Sequence, residues 1–158
     1  MKKIIVIISA FFLFYSCSQK TEIKSTENNT DILYTDSINN LELQKQTIEI
    51  FPSGQEKAVV FVLKNNPLEI VKEVHFYKNG QKQVEGTLKN KKRHGKWTFW
   101  YDNGKIWSEG IFVNGKSQGL FSIYNKDGSI KIKSYYKNGE KIKESYFEDN
   151  KCIKTIQL

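Results

Sequence analysis

The segment YDNGKIWSEGIFVNGKSQGLFSI, Tyr101–Ile123, decides the fold. It holds two turn dipeptides, Asn103-Gly104 and Asn114-Gly115, with strand-length runs between and after them. Asn-Gly accepts the positive φ that tight hairpin turns require. Outward from this segment the pattern recurs. Gly80, Gly104 and Gly128 stand 24 residues apart, as do Gly86 and Gly110, Gly95 and Gly119, and Asn90, Asn114 and Asn138. Self-similarity at such a period is the mark of a repeat architecture, in which each supersecondary unit buries its apolar face on its neighbours.

The flanking units are YKNGQKQVEGTLKNKKRHGKWTFW (Tyr77–Trp100) and YNKDGSIKIKSYYKNGEKIKESY (Tyr124–Tyr146), with a partial unit from Phe147 and a degenerate one from Phe51. Turn signals fall about every 11 to 14 residues: Ser53-Gly54, Asn65-Asn66, Asn79-Gly80, Asn90-Lys91, Asn103-Gly104, Asn114-Gly115, Asp127-Gly128, Asn138-Gly139 and Asn150-Lys151. Between them apolar and polar residues alternate. Trp97, Phe99 and Tyr101 share one face of their strand, and Thr98 and Trp100 the other. Aromatics at 13% and only two prolines fit strands. The fold class is therefore all-β: an elongated, twisted antiparallel meander of stacked hairpins. Gly80, Gly104, Gly115, Gly128 and Gly139 are placed at positive φ. Gly86 and Gly110 fall inside strands, where a missing side chain leaves room for a facing aromatic or a bulge.

The run Y-x-N-G-x(5)-G-x(3)-N-G-x(3)-G-x-[WF]-x-[FI] resembles the bacterial variant of the MORN repeat (membrane occupation and recognition nexus). Asn103-Gly104, Glu109-Gly110, Asn114-Gly115 and Gly119 carry it, with Glu85-Gly86, Gly95 and Trp97 in the preceding unit. The third unit departs, with Ser134 at the mid-unit glycine and Lys143 at the later one. The resemblance implies a twisted sheet of hairpins with no catalytic residues. Proteins with this repeat variant are often described as antitoxins, which implies neutralisation of a partner toxin as one reading.

The N-terminus reads separately. Lys2 and Lys3 precede an apolar run, Ile4–Tyr15, of 12 residues. A helix needs roughly 20 to span a bilayer, so the run fits the apolar region of a signal peptide. Ser16-Cys17 then resembles a bacterial lipobox, although Phe14 stands where leucine is usual. The resemblance implies cleavage before Cys17, its acylation, and a lipoprotein held on the membrane of the cell envelope, at its periplasmic or outer-membrane side. Acylation of Cys17 leaves no disulfide framework, and Cys152 is read as an inert strand residue. The domains expected are a signal peptide over 1–16, a lipid-anchored flexible tether over 17–46, and a repeat domain over 47–158, clearest over 75–148. Ile32, Leu33 and Tyr34 are candidates for local docking within the tether.

Charge is uneven. Residues 18–71 hold five Lys and eight Asp+Glu, a net of −3, and residues 72–158 hold 18 Lys+Arg and nine Asp+Glu, a net of +9. Arg93 is the only arginine, which disfavours nucleic-acid recognition, since the guanidinium fork is what reads phosphates and bases. His75 and His94 lie too far apart for a zinc motif, and no nucleophile elbow or phosphate loop occurs. Glu85 and Glu109 occupy equivalent places in neighbouring units, but as a repeat feature. No enzyme, cofactor, metal or small-molecule substrate is expected. Two candidate binding surfaces remain. One is the basic turn with Lys91, Lys92 and Arg93. The other is Trp100 and Trp107, expected on the face opposite Phe99, Tyr101, Phe112, Phe121 and Tyr136; exposed aromatics there would meet a protein partner.

Overall fold

A computed structural model describes Tyr34, Ser37, Ile38 and residues 40–158. The strands are β1 (Leu43–Ile50), β2 (Glu56–Leu63), β3 (Asn66–Phe76), β4 (Lys82–Lys89), β5 (Lys92–Trp100), β6 (Ile106–Val113), β7 (Lys116–Tyr124), β8 (Ile130–Lys137), β9 (Glu140–Glu148) and β10 (Lys151–Gln157). They form one antiparallel sheet whose spatial order is the chain order. The expected meander is thus the observed fold.

Two kinds of turn alternate, which is why one period needs two turn signals. Asn90-Lys91, Asn114-Gly115 and Asn138-Gly139 are two-residue turns with positive φ at both positions, the geometry whose twist matches that of paired strands. On the opposite rim, five-residue turns start at Tyr77, Tyr101 and Asn125. In each, the first amide donates to the carbonyl of the fifth residue, as from Tyr101 to Lys105 at 2.8 Å. At two places the turn sits one residue earlier than expected: Lys64-Asn65 and Asp149-Asn150 link the strands. The sheet also begins before residue 47, because Leu43–Gln46 already pair with Val60–Leu63.

Cross-strand partners form continuous rows. One row runs Val60, Glu73, Gly86, Trp97, Gly110. Its neighbour runs Val59, Val74, Glu85, Thr98, Glu109, Ser122, Lys133, Ser145, Thr155 and lies on the other face. The first face carries the aromatic core. Trp97 is wholly buried, and burying roughly 150–250 Å² of indole and backbone surface contributes about 4–6 kcal/mol. Edge-on ring contacts continue the core from Trp97 to Phe112 at 6.2 Å, to Phe121 at 5.3 Å and to Tyr136 at 5.0 Å.

The in-strand glycines make this ladder possible. A Cβ on Gly86 would lie 2.6 Å from Trp97 Cγ, and one on Gly110 2.5 Å from Phe121 Cγ. In both units a bulge adds two residues to the second strand, between Gly86↔Trp97 and Leu88↔Arg93, and again between Glu109↔Ser122 and Ile111↔Gln118. Gly95 and Gly119, both at positive φ, sit within those bulges. The third unit, with Lys143 in place of that glycine, adds only one residue, Ile142. Its register therefore moves by one, and Glu144 faces Ser134. Ser134 donates to Glu144 Oε1 at 3.0 Å. A hydroxyl–carboxylate pair thus replaces the aromatic-over-glycine pair and ends the ladder.

Part of the segment expected to be a flexible tether belongs to the array, and Tyr34, one of its three docking candidates, is seated there. Tyr34 donates its hydroxyl to the Leu88 carbonyl at 2.8 Å and meets the His94 ring edge-on at 4.7 Å. Ile38 is 2% exposed.

Candidate functional site

The carboxylates on the polar face serve as structural ions. Glu85 and Glu109 are separated by Thr98 and its strand, so they form no acid–base couple. Glu85 is bound by both Lys72 and Lys82. Burial raises its carboxyl pKa, but the two ammonium groups outweigh that and hold it below the usual range. Glu109 behaves alike: burial pushes it up, while Lys96 at 2.8 Å and the Tyr124 hydroxyl at 2.8 Å bring it down. Lys72 and Lys96, like Glu85 and Glu109, are one repeat apart, so these ion pairs are products of the repeat. His94 is buried and its Nδ1 accepts from the Asn114 amide at 3.3 Å. Among the described residues no group of His, Cys, Asp and Glu is arranged to hold a metal.

The tryptophans do not share the face expected of them. Trp107 is 46% exposed, yet its ring packs edge-on to Phe99 at 6.1 Å and tilted against Tyr101 at 6.4 Å. It belongs to the aromatic side. The cause is a bulge: Phe99 pairs with Ser108 and Trp100 with Ile106, leaving Trp107 as the extra residue. Trp100 stays on the polar face, half-buried, with the Lys82 ammonium 5.8 Å from its ring. The sequence therefore located one exposed tryptophan and misplaced it, since alternation fails where a strand carries an unpaired residue.

Arg93 is also committed within the array. Its guanidinium lies 4.2 Å from the Trp97 ring and 5.5 Å from that of Phe112, a stacked cation–π arrangement. Lys91 and Lys92 are exposed. Cys17 lies outside the described residues. Cys152, on β10, is disulfide-bonded, which corrects its reading as a strand residue outside any disulfide. Cys17 is the only other cysteine in the chain.

Side chains also tie turn to turn across one period. Asn79 Nδ2 donates to the Asp102 carbonyl at 2.7 Å and Asn103 Nδ2 to the Lys126 carbonyl at 3.1 Å. Tyr77 and Tyr101 donate their hydroxyls to the carbonyls of Trp100 and Tyr124 at 2.7 and 2.8 Å. The turn Asn and the unit-opening Tyr were legible as repeat positions; their bonds to the next unit were not.

A stack of hairpins with such periodic ties defines the class: a repeat-built binding or scaffold module. Residues 71–90, 93–114 and 117–138 match the family described as MORN repeat variant, so the array holds three consecutive repeats of that variant. No curated protein matches the chain. Two solved structures are similar at low identity. One is the Glycosylation Associate Protein (Gap123) complex from Streptococcus agalactiae, at 16% identity and a TM-score of 0.39, over 72% of this chain and 24% of that one. The other is TarM, at 15% identity and a TM-score of 0.33, over 81% of this chain and 22% of that one. The chain spans about a quarter of the length of each.

Proposed function

We propose that this protein is a lipid-anchored envelope protein whose hairpin array is a non-catalytic module for binding a protein partner. The observation that carries the reading is the join of two features: a charged, apolar leader ending at Ser16-Cys17, followed by an array whose carboxylates are held in structural ion pairs. The aromatic side with half-exposed Trp107 is the surface offered to the partner.

The anchor has a direct test. A thioether at Cys17 and a disulfide from Cys17 to Cys152 exclude each other chemically, so the disulfide at Cys152 speaks against the anchor. Mass spectrometry of the N-terminal peptide, with and without reduction, reads which is present. Cys17→Ala releases the protein from membranes if the anchor is correct; retention of that variant, or a Cys17–Cys152 disulfide in the purified native protein, refutes it. A pull-down with the anchored protein then identifies the partner. Recovery of a toxin, with growth arrest on deletion of this chain, makes the protein an immunity-type neutraliser.

A further inference from the structure

The two long rims of the sheet differ in charge. On the rim of five-residue turns, two of the three cations in the turns from Tyr77 to Ser129 are matched: Lys126 faces Asp102 at 3.7 Å, and Lys105 donates to the Asp127 carbonyl at 2.7 Å, while Lys78 is exposed. On the rim of two-residue turns, Lys89, Lys91, Lys92, Lys116 and Lys137 are all exposed. Among the described residues no carboxylate pairs with any of these five lysines, and Glu140 is the single acidic side chain at the three turns from Asn90-Lys91 to Asn138-Gly139.

These cations are held in a row. The stem of Lys92 lies against Gly115 of the next turn, its Cβ 3.8 Å from where a glycine Cβ would stand, and Lys116 lies against Gly139 at 3.5 Å. The same turns are tied by backbone bonds, Gly115 to the Arg93 carbonyl at 2.8 Å and Gly139 to the Ser117 carbonyl at 2.9 Å. Strands in a sheet lie about 4.8 Å apart, so Lys92 and Lys116, two strands apart, stand at about 10 Å. From β4 to β8 the row extends for roughly 19 Å on the same spacing.

We propose that this rim binds a linear acidic polysaccharide. The proposal rests on the reading of the array as a binding module and names a ligand class for it. The row is a line of point charges and not a broad face, which fits one extended chain rather than a lipid surface. The charges fall in two groups, on β4–β5 and on β7–β8, whose facing members Lys92 and Lys116 stand about 10 Å apart, a gap that suits one carboxylate on alternate sugars. Nucleic acid is a poorer match: its phosphates recur at roughly 3.4 Å per strand, and the one guanidinium is stacked on Trp97. Ammonium groups on flexible stems suit diffuse carboxylates, which need no fork geometry.

The experiment uses the full chain and hyaluronate, which carries one carboxylate per disaccharide. Neutral dextran, anionic vesicles of phosphatidylglycerol and single-stranded oligothymidylate are the comparison probes. Hyaluronate should bind at low ionic strength and release as salt screens the row. Lys116→Gln and Lys137→Gln should each weaken binding about fivefold, the effect of ~1 kcal/mol per lysine at an anionic surface. Lys78→Gln, on the opposite rim, should change it by less than about twofold. All three are exposed positions and should keep the parent's urea midpoint. The proposal is overturned by absence of hyaluronate binding, by equal losses from the two rims, or by tighter binding to vesicles or oligothymidylate. Capture of a protein partner without hyaluronate binding overturns the ligand while leaving the protein-binding reading intact.

Discussion

Adding one methyl group at Gly86 tests the packing logic of the array. The new Cβ would sit 2.6 Å from Trp97 Cγ, and Trp97 is wholly buried. Either the indole moves or the strands separate. Forcing an extra methyl into a packed core costs about 1–3 kcal/mol. Loss of glycine's freedom in the unfolded chain offsets about 0.4–1 kcal/mol of that. Gly86→Ala should therefore destabilise by roughly 1–2 kcal/mol. With a urea m-value of about 2 kcal/mol/M, the midpoint falls by roughly 0.5–1 M at unchanged m. The cost belongs to the ring, so it should vanish when the ring is gone. Trp97→Ala alone costs about 3–5 kcal/mol, and the double variant should be no worse than Trp97→Ala, a coupling of at least about 1 kcal/mol. Tryptophan-independent circular dichroism reads all four proteins. Additive losses, or a Gly86→Ala midpoint equal to the parent's, would refute the idea that the in-strand glycine exists to admit Trp97.

Gly104→Val should lose stability for a different reason, since Gly104 has φ +81 and its Cβ would also strike Gln81; thermal unfolding unchanged from the parent would count against the turn. Tyr34→Phe removes the hydroxyl bond to Leu88 and should cost about 0.5–1.5 kcal/mol, with faster amide exchange at Leu88 and Lys89 as the reading. Glu85 and Glu109 titrate low in the folded array, so the unfolded chain takes up protons first as pH falls. Their contribution is complete above the unfolded value of about 4.3 and is lost as pH drops through the lower folded values. The Glu85→Gln/Glu109→Gln variant should accordingly show a smaller drop in urea midpoint between neutral pH and acid than the parent does; an equal drop would show that other groups govern acid unfolding.

The meander could be read from the chain because its determinants are local. An Asn-Gly pair and a period of two act within a few residues, and Gly104 or Asn114 means the same thing in any hairpin. The errors fall where a distant residue decides. Trp107 changes face because Ser108 and Ile106, its neighbours, pair with adjacent residues of β5 and leave it unpaired. Glu144 takes the place of an aromatic because Lys143 shortens a bulge by one residue. Tyr34 was legible as a docking candidate, but its partner was not, because what docks it is a carbonyl 54 positions along the chain. The candidate binding side chains were legible as residue types. Their availability was not: Arg93 is taken up by rings, and the lysine row exists only once the turns are stacked.

Because spatial order equals chain order, the array has a mechanical character. In the form acylated at Cys17, with no disulfide joining that residue to β10, tension between the N-terminus and the last strand would load the outermost hairpin before any inner one. Strands would peel singly, each step breaking one ladder of hydrogen bonds and no more. A molecule held at its N-terminal end and gripped by a ligand near β10 would lengthen in small steps at low force, and would rewind from whichever hairpins remained.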